Sequence, residues 1–167
     1  MKSMELARCC GWKKTVVVLA TGFGLGLAPV ASGTAGTLPG ILLLLVLAPL
    51  WNGPVIWQVA AALVLALIAI PICDVAERHF GRKDDGRIVA DEYLTFPICM
   101  LGLPLNPWML AVAFLTCRVF DVLKPPPARQ FQDLPGGLGI VVDDVTSNLY
   151  SLALNHLVFQ ILLRLGM

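Results

Sequence analysis

Five apolar stretches, at residues 15–31, 38–50, 54–72, 94–120 and 145–165, alternate with turns and with two charged blocks. Each reads as an apolar helical segment. Several are shorter than the ~20 residues that a helix needs to cross a hydrocarbon core. The fourth is broken near 102–107 by Gly102, Pro104 and Pro107, which predicts a tight helix–turn–helix. Trp51-Asn52-Gly53-Pro54 predicts a second such turn. Trp51, Trp57 and Trp108 stand at these turns, where aromatic rings favour a membrane–water interface. The pattern therefore predicts an all-α fold: one domain over residues 1–167, a polytopic membrane bundle of short helical hairpins.

Composition supports lipid as the solvent. Of the 167 residues, 57% are hydrophobic and only 14% charged, and mean hydropathy is +0.81. The net charge of +1 points to no partner, and no basic stretch carries interleaved aromatics, which argues against nucleic acid. The five cysteines are odd in number and form no C-x-x-C pair, so neither a disulfide framework nor a zinc site is expected. Cys99 and Cys117 read as small core residues. Lys13-Lys14 ahead of residues 15–31 has the form of a signal peptide, but the rest of the chain is equally apolar, so an uncleaved segment is the simpler reading.

Lys and Arg gather in the N-terminal tail and in the two charged blocks, and are missing from both Trp-marked turns. The positive-inside rule then puts tail and blocks in the cytoplasm and the turns outside. Residues 38–72 and 94–120 would form two hairpins, and residues 15–31 would dip in and return. Arg164 falls near the outer face in this scheme and speaks mildly against it.

Charge near lipid is costly and marks function by default. In the second block, Arg118 and Asp121 share a helical face. Lys124 precedes Pro125-Pro126-Pro127, which stops the helix. Arg129 follows, then the flexible Gly136-Gly137-Leu138-Gly139 and the pair Asp143-Asp144, placed just before the last helix. Asp144 alone reads as a helix N-cap, but a cap explains neither its neighbour nor the nearby cations. The first block holds Asp84, Asp85, Asp91 and Glu92, with Asp91-Glu92 opening an apolar helix, where acidic residues also favour the macrodipole. Asp74, Glu77, Arg78, Arg82 and Lys83 read as a solvated, ion-paired helix face. His156 reads as a satisfied core histidine.

Carboxylates without a His or Cys cluster suit a hard cation, Mg²⁺. Arg and Lys beside them suit a phosphate. The segment Gly33-Thr34-Ala35-Gly36-Thr37 reads as a loop ahead of a helix, able to hold an anion, although it is no Walker A. Together these predict metal-assisted phosphate chemistry at the cytoplasmic face. No C-x₅-R loop, D-x-D-x-T/V motif or paired-histidine lipid phosphatase signature is present. Arg82 stands where a D-x₂-D-G pattern needs its first Asp. A cation transporter is the alternative, but it would place carboxylates inside the apolar runs, and here they lie outside them.

Four blocks in one order carry a family likeness: G-F-G-L-G-L-A-P-V-A-S-G-T-A-G-T from Gly22, D-D-G-R-I-V-A-D-E from Asp84, R-V-F-D-V-L-K-P-P-P from Arg118 and G-G-L-G-I-V-V-D-D from Gly136. The chain resembles phosphatidylglycerophosphatase A, a bacterial inner-membrane, Mg²⁺-dependent lipid phosphatase. The resemblance implies phosphatidylglycerol phosphate as substrate, with phosphatidylglycerol and inorganic phosphate as products. One departure is Thr95, where the family usually has glycine. The expected site has Asp84, Asp91, Glu92, Asp121, Asp143 and Asp144 holding one or two Mg²⁺ and positioning a water. Arg118, Lys124 and Arg129 would bind the phosphate, and Gly33, Thr34, Gly36 and Thr37 would line its pocket. Direct attack by water is expected ahead of an aspartyl-phosphate.

Overall fold

The structure is a computed structural model that describes residues 2–28 and 32–165, and these residues are helical with no strand. In chain order the helices are α1 (Lys2–Ala20), α2 (Ser32–Val46), α3 (Ala48–Trp51), α4 (Val55–Phe80), α5 (Ala90–Thr95), α6 (Pro107–Leu123), α7 (Ala128–Phe131) and α8 (Gly136–Arg164). A 3₁₀ segment, Phe96–Met100, continues α5.

The centre of the bundle is α5 with its 3₁₀ extension. Every residue from Ala90 to Met100 is buried except Glu92, which is half-buried. It packs against α2, α4, α6 and α8. Such a short buried segment must have its end carbonyls satisfied by neighbours, and they are. Asn155 donates to Cys99 O at 2.9 Å, Trp51 Nε1 to Met100 O at 3.1 Å, and His156 Nε2 lies 2.9 Å from Leu101 O. Gln58 Oε1 accepts from Gly102 N at 2.8 Å. These partners come from a polar stripe on α8, from the end of α3 and from the first turn of α4, so they bind the distal end of α5 to two long helices.

Both predicted turns are present, at 52–54 and at 101–106. Asn106 caps α6 by accepting from Met109 N at 2.7 Å. Four expectations need correction. Residues 15–31 do not form one helix: α1 stops at Ala20, residues 21–28 turn back, and 29–31 lie outside the described residues. The 3₁₀ segment Phe96–Met100 is a buried plug rather than the first arm of a spanning hairpin. Trp51 is buried (4% exposed) and serves a carbonyl, so only Trp57 and Trp108 remain at the surface. Gly136-Gly137-Leu138-Gly139 is the first turn of α8, not a flexible link. There a side chain at Gly137 would meet the Asp74 backbone nitrogen at 2.5 Å, so small residues let α8 lie directly on α4.

Among the described residues α4 is the one helix long and apolar enough to cross a membrane. Its 26 residues span about 39 Å. Large apolar side chains lie exposed along it, Ile56, Leu63 and Leu67 among them, and along α6 and α8.

Candidate active site

The carboxylates of the two charged blocks meet at one end of the bundle, where α5 begins, α6 ends and α8 is in its second and third turns. Because α8 starts at Gly136, Asp143 and Asp144 sit inside the helix and neither is an N-cap. Asp91, Asp143 and Asp144 are buried. Glu92 and Asp121 are mostly enclosed, with side chains 12% and 16% exposed.

Two cations stand among these acids. The Arg118 fork spans two of them, with Nη1 2.9 Å from Glu92 Oε2 and Nη2 2.9 Å from Asp121 Oδ2. Lys124 Nζ lies 2.5 Å from Asp143 Oδ2 and 3.9 Å from Asp121 Oδ1. Lys124 also closes α6 in a left-handed conformation at φ 43°, a strained position for a side-chain-bearing residue. Five carboxylates thus face two cations. Burial, and then repulsion by Glu92, raises Asp91 well above its ordinary pKa. Burial, and then repulsion by Asp121, does the same to Asp144. Glu92 is pushed up to about 8, chiefly by burial, against the pull of Arg118.

The other expected residues fall differently. Asp84 sits at the exposed rim with φ 48° and accepts from Gln132 at 3.1 Å. Its charge reaches the cluster, being among those that raise Asp91 and Asp143. Arg129 is exposed on α7 and forms no ion pair among the described residues. Asp85 serves the loop instead, gripped by Arg87 at 2.7 and 2.8 Å.

The Gly33–Thr37 run corrects the loop reading, because it forms the first two turns of α2. Thr34 points outward and is exposed. Thr37 is fully buried, with its Oγ1 3.1 Å from Glu92 Oε2, and it accepts from Arg118 Nη1 at 3.3 Å. The glycines give α2 close access: a side chain at Gly33 would land on the Arg118 guanidinium and on Glu92. This helix therefore braces Glu92 and Arg118 by contact.

Residues that the motifs did not single out complete the seam between α5 and α8. Thr95 Oγ1 donates to Asp91 O at 2.6 Å and accepts from Asn148 Nδ2 at 2.9 Å. Among the described residues, the buried side-chain polar atoms without a partner are Asp91 Oδ1, Asp143 Oδ1, Ser147 Oγ and Asn148 Oδ1. All four belong to α5 or α8. The signal was the spacing of Asp144, Asn148, Ser151 and Asn155, which puts polar groups on one face of an apolar helix.

The family described as phosphatidylglycerophosphatase A matches residues 18–159. The chain belongs to this family. It is 35% identical over 140 residues to the phosphatidylglycerophosphatase A of Escherichia coli, covering 80% of this chain and 77% of that protein. It is 38% identical over 136 residues to that of Haemophilus influenzae, covering 80% and 82%. A protein of Bacteroides thetaiotaomicron named "Putative phosphatidylinositol-3-phosphatase" is 36% identical over 143 residues, covering 83% and 89%. No solved structure matches significantly. The chain is thus an enzyme, a phosphatase of the phosphatidylglycerophosphatase A family. Thr95, at the centre of the seam between α5 and α8, is held by its bond from Asn148.

The brace formed by α2 can be tested in this phosphatase. A Cβ at Gly36 would come within 2.5 Å of Val89 Cβ and 3.2 Å of Glu92 Oε2. Gly36→Ala is expected to cost about 1–3 kcal/mol by overpacking, or about 2–4 °C of Tm per kcal/mol, and to lower activity with it. Gly11→Ala, at an exposed position of α1 with open space around it, is the control: activity should not change and Tm should hold or rise by the helix preference of alanine, up to about 1 kcal/mol. An unchanged Tm for Gly36→Ala would show that α2 does not press on Glu92.

Proposed function

We propose that this protein is a Mg²⁺-dependent lipid phosphatase that hydrolyses phosphatidylglycerol phosphate to phosphatidylglycerol and inorganic phosphate, at the cytoplasmic face of a bacterial inner membrane that it crosses several times. The observation that carries this reading is the convergence of Asp91, Glu92, Asp121, Asp143 and Asp144 with Arg118 and Lys124 at one end of an apolar bundle. The Trp-marked turns lie at the other end: a side chain at Gly102 would lie 3.8 Å from Val55 and 3.6 Å from His156, about 18 Å along α8 from Asp144. A headgroup at the cluster and acyl chains along the exposed apolar faces of α4, α6 and α8 can then be served together.

The residues fit a hard divalent cation. The donors are all oxygens, and Asp91 Oδ1 and Asp143 Oδ1 are buried without partners. No three of the acids form a ready-made cage among the described residues, and Arg118 and Lys124 hold the space between them. Asp91, Asp143 and Asp144 would hold the ion, with Glu92 and Asp121 beside it and Asp84 at the rim. Once bound, Mg²⁺ supplies Lewis-acid polarisation of the phosphoryl oxygens and a lowered pKa for an attacking water. Arg118 grips two phosphate oxygens with its planar fork, and Lys124 neutralises a third as a point charge. Thr37, with the glycines of α2, keeps Glu92 and Arg118 in register. Arg129, exposed on its short helix, guides the headgroup in.

The test is phosphate release by the detergent-solubilised protein from phosphatidylglycerol phosphate and from phosphatidylinositol 3-phosphate, with Mg²⁺ and with a chelator. Mg²⁺-dependent release from the first, and faster than from the second, is expected; chelator-resistant release would rule out the metal. Glu92 contributes to the pH dependence together with Asp91 and Asp144, which are also held above their ordinary pKa. Below about pH 8 the Glu92 carboxyl keeps its proton, so binding a cation must expel that proton. The Mg²⁺ concentration for half-activation should therefore fall as pH rises from 6.5 to 8.5, by up to about tenfold per unit for one expelled proton. A constant midpoint over that range would separate Glu92 from the metal.

A further inference from the structure

We propose that the cleft between α1 and the end of α4 is a second lipid site, which takes the headgroup phosphate of an anionic phospholipid from the surrounding membrane. The cleft has a volume of about 440 Å³ and is lined by Trp12, Lys13, Val75, Arg78 and His79. That size lies within the ~300–1,000 Å³ of small-molecule sites. Its walls are of two kinds. Lys13, Arg78 and His79 offer N–H donors. Val75 and the half-exposed indole of Trp12 offer apolar surface.

Among the described residues the charge around the cleft is mostly positive. Arg78 is oriented by Asp74 at 2.9 Å but keeps most of its side chain in the open. Lys14, Arg82 and Lys83 lie exposed nearby in the chain and enter no ion pair among the described residues. Arg87, by contrast, is taken up by Asp85. The acids of α4 reach α8: a side chain at Gly136, which opens α8, would meet Asp74 Oδ1 at 2.5 Å and Glu77 Oε2 at 3.9 Å. So Asp74 stands between the two faces of α4, packed under Gly136 and paired with Arg78, while Arg78 and His79 line the cleft, whose lining includes no residue of the carboxylate cluster.

A phospholipid with one anionic phosphodiester matches both walls. Its phosphate meets the donors, and its glycerol and upper acyl carbons meet Val75 and the indole. Dissolved phosphate would leave the apolar wall unused. The cleft also sits at the end of the one described helix apolar enough to cross a bilayer, where headgroups lie. A Trp beside basic residues is typical of that depth. The choice of a membrane lipid as occupant rests on the proposed membrane insertion of α4.

The experiment is native mass spectrometry of the full-length protein in detergent, titrated with phosphatidylglycerol, with phosphatidylcholine, or with phosphatidylglycerol plus excess inorganic phosphate. The wild type should retain phosphatidylglycerol and not phosphatidylcholine, and inorganic phosphate should not displace it. Lys13→Gln combined with Arg78→Gln should weaken retention by about 25-fold, about fivefold for each charge. Trp12→Ala should weaken it with all charges kept. Turnover of a lipid phosphate by these variants should stay within about twofold of wild type, since neither wall touches the cluster. Equal retention by the charge variant overturns the proposal, and so does equal binding of phosphatidylcholine, displacement by inorganic phosphate, or loss of turnover with lipid still retained. A wild type that binds phosphatidylglycerol but hydrolyses no phosphatidylglycerol phosphate would instead overturn the proposed activity.

Discussion

Asp144→Asn is expected to lower kcat on the order of a thousandfold, the scale on which removing one charge-stabilising group acts in a preorganised site, while leaving the protein as stable as before or more so. Asp144 is buried, and its carboxylate is raised first by lost hydration and then by Asp121, Asp91 and Glu92. An amide of the same shape removes that repulsion and costs no packing. The metal-free variant should therefore melt at or above the wild-type temperature, by about 2–4 °C for each kcal/mol gained. Mg²⁺ should raise the Tm of the wild type by binding the folded state, and should raise that of the variant much less. These outcomes have opposite signs for a structural carboxylate, whose loss lowers Tm together with activity. Retention of more than about a tenth of the wild-type rate would remove Asp144 from the proposed metal site.

That experiment is possible because the acids could be read from the chain, whereas their surroundings could not. The contrast between apolar runs and charged blocks assigned six carboxylates and three cations to one site; the structure gathers five and two of them, with Asp84 at the exposed rim and Arg129 exposed on α7. The three-residue spacing of Arg118 and Asp121 anticipated their 2.9 Å contact. Turn chemistry at 52–54 and at 102–107 set the starts of α4 and α6 correctly, because proline and glycine act locally. What failed was the reading of glycine as a loop former at 33–37 and at 136–139. Gly33, Gly36 and Gly137 lie in helices, where low intrinsic propensity is overridden by close packing on Arg118, Val89 and α4. Reading 136–139 as a loop also shifted Asp143 and Asp144 from the interior of a helix to its edge. The polar face of α8 was hidden by average hydropathy. Ser147, Asn148, Ser151 and Asn155 are too few to alter the apolar mean, yet they share one face and serve the buried α5 segment. Trp51 was assigned by residue type to an interface, but the buried Met100 carbonyl it serves exists only in three dimensions.

Arg118→Lys should keep the charge of the site and still lower kcat/KM by about 10–100-fold, the equivalent of one charge-assisted hydrogen bond of about 1.5–3 kcal/mol. In the structure the two ends of the guanidinium hold Glu92 and Asp121 at once, each at 2.9 Å, and Nη1 also reaches Thr37. An ammonium is a single point and can satisfy one of these acids at that distance, not both. If the fork moves onto the phosphate during turnover, the loss should appear mainly in KM. If it acts only by holding Glu92 and Asp121 in place, kcat should fall while KM holds. Arg118→Ala separates the fold from the chemistry. It removes the cation that Glu92 and Asp121 share in an enclosed site and should cost about 3–5 kcal/mol, recovered in part by Arg118→Ala combined with Asp121→Asn. Near-normal kcat/KM in Arg118→Lys would mean that charge alone suffices there, and the two-point grip assigned to Arg118 would have to be abandoned.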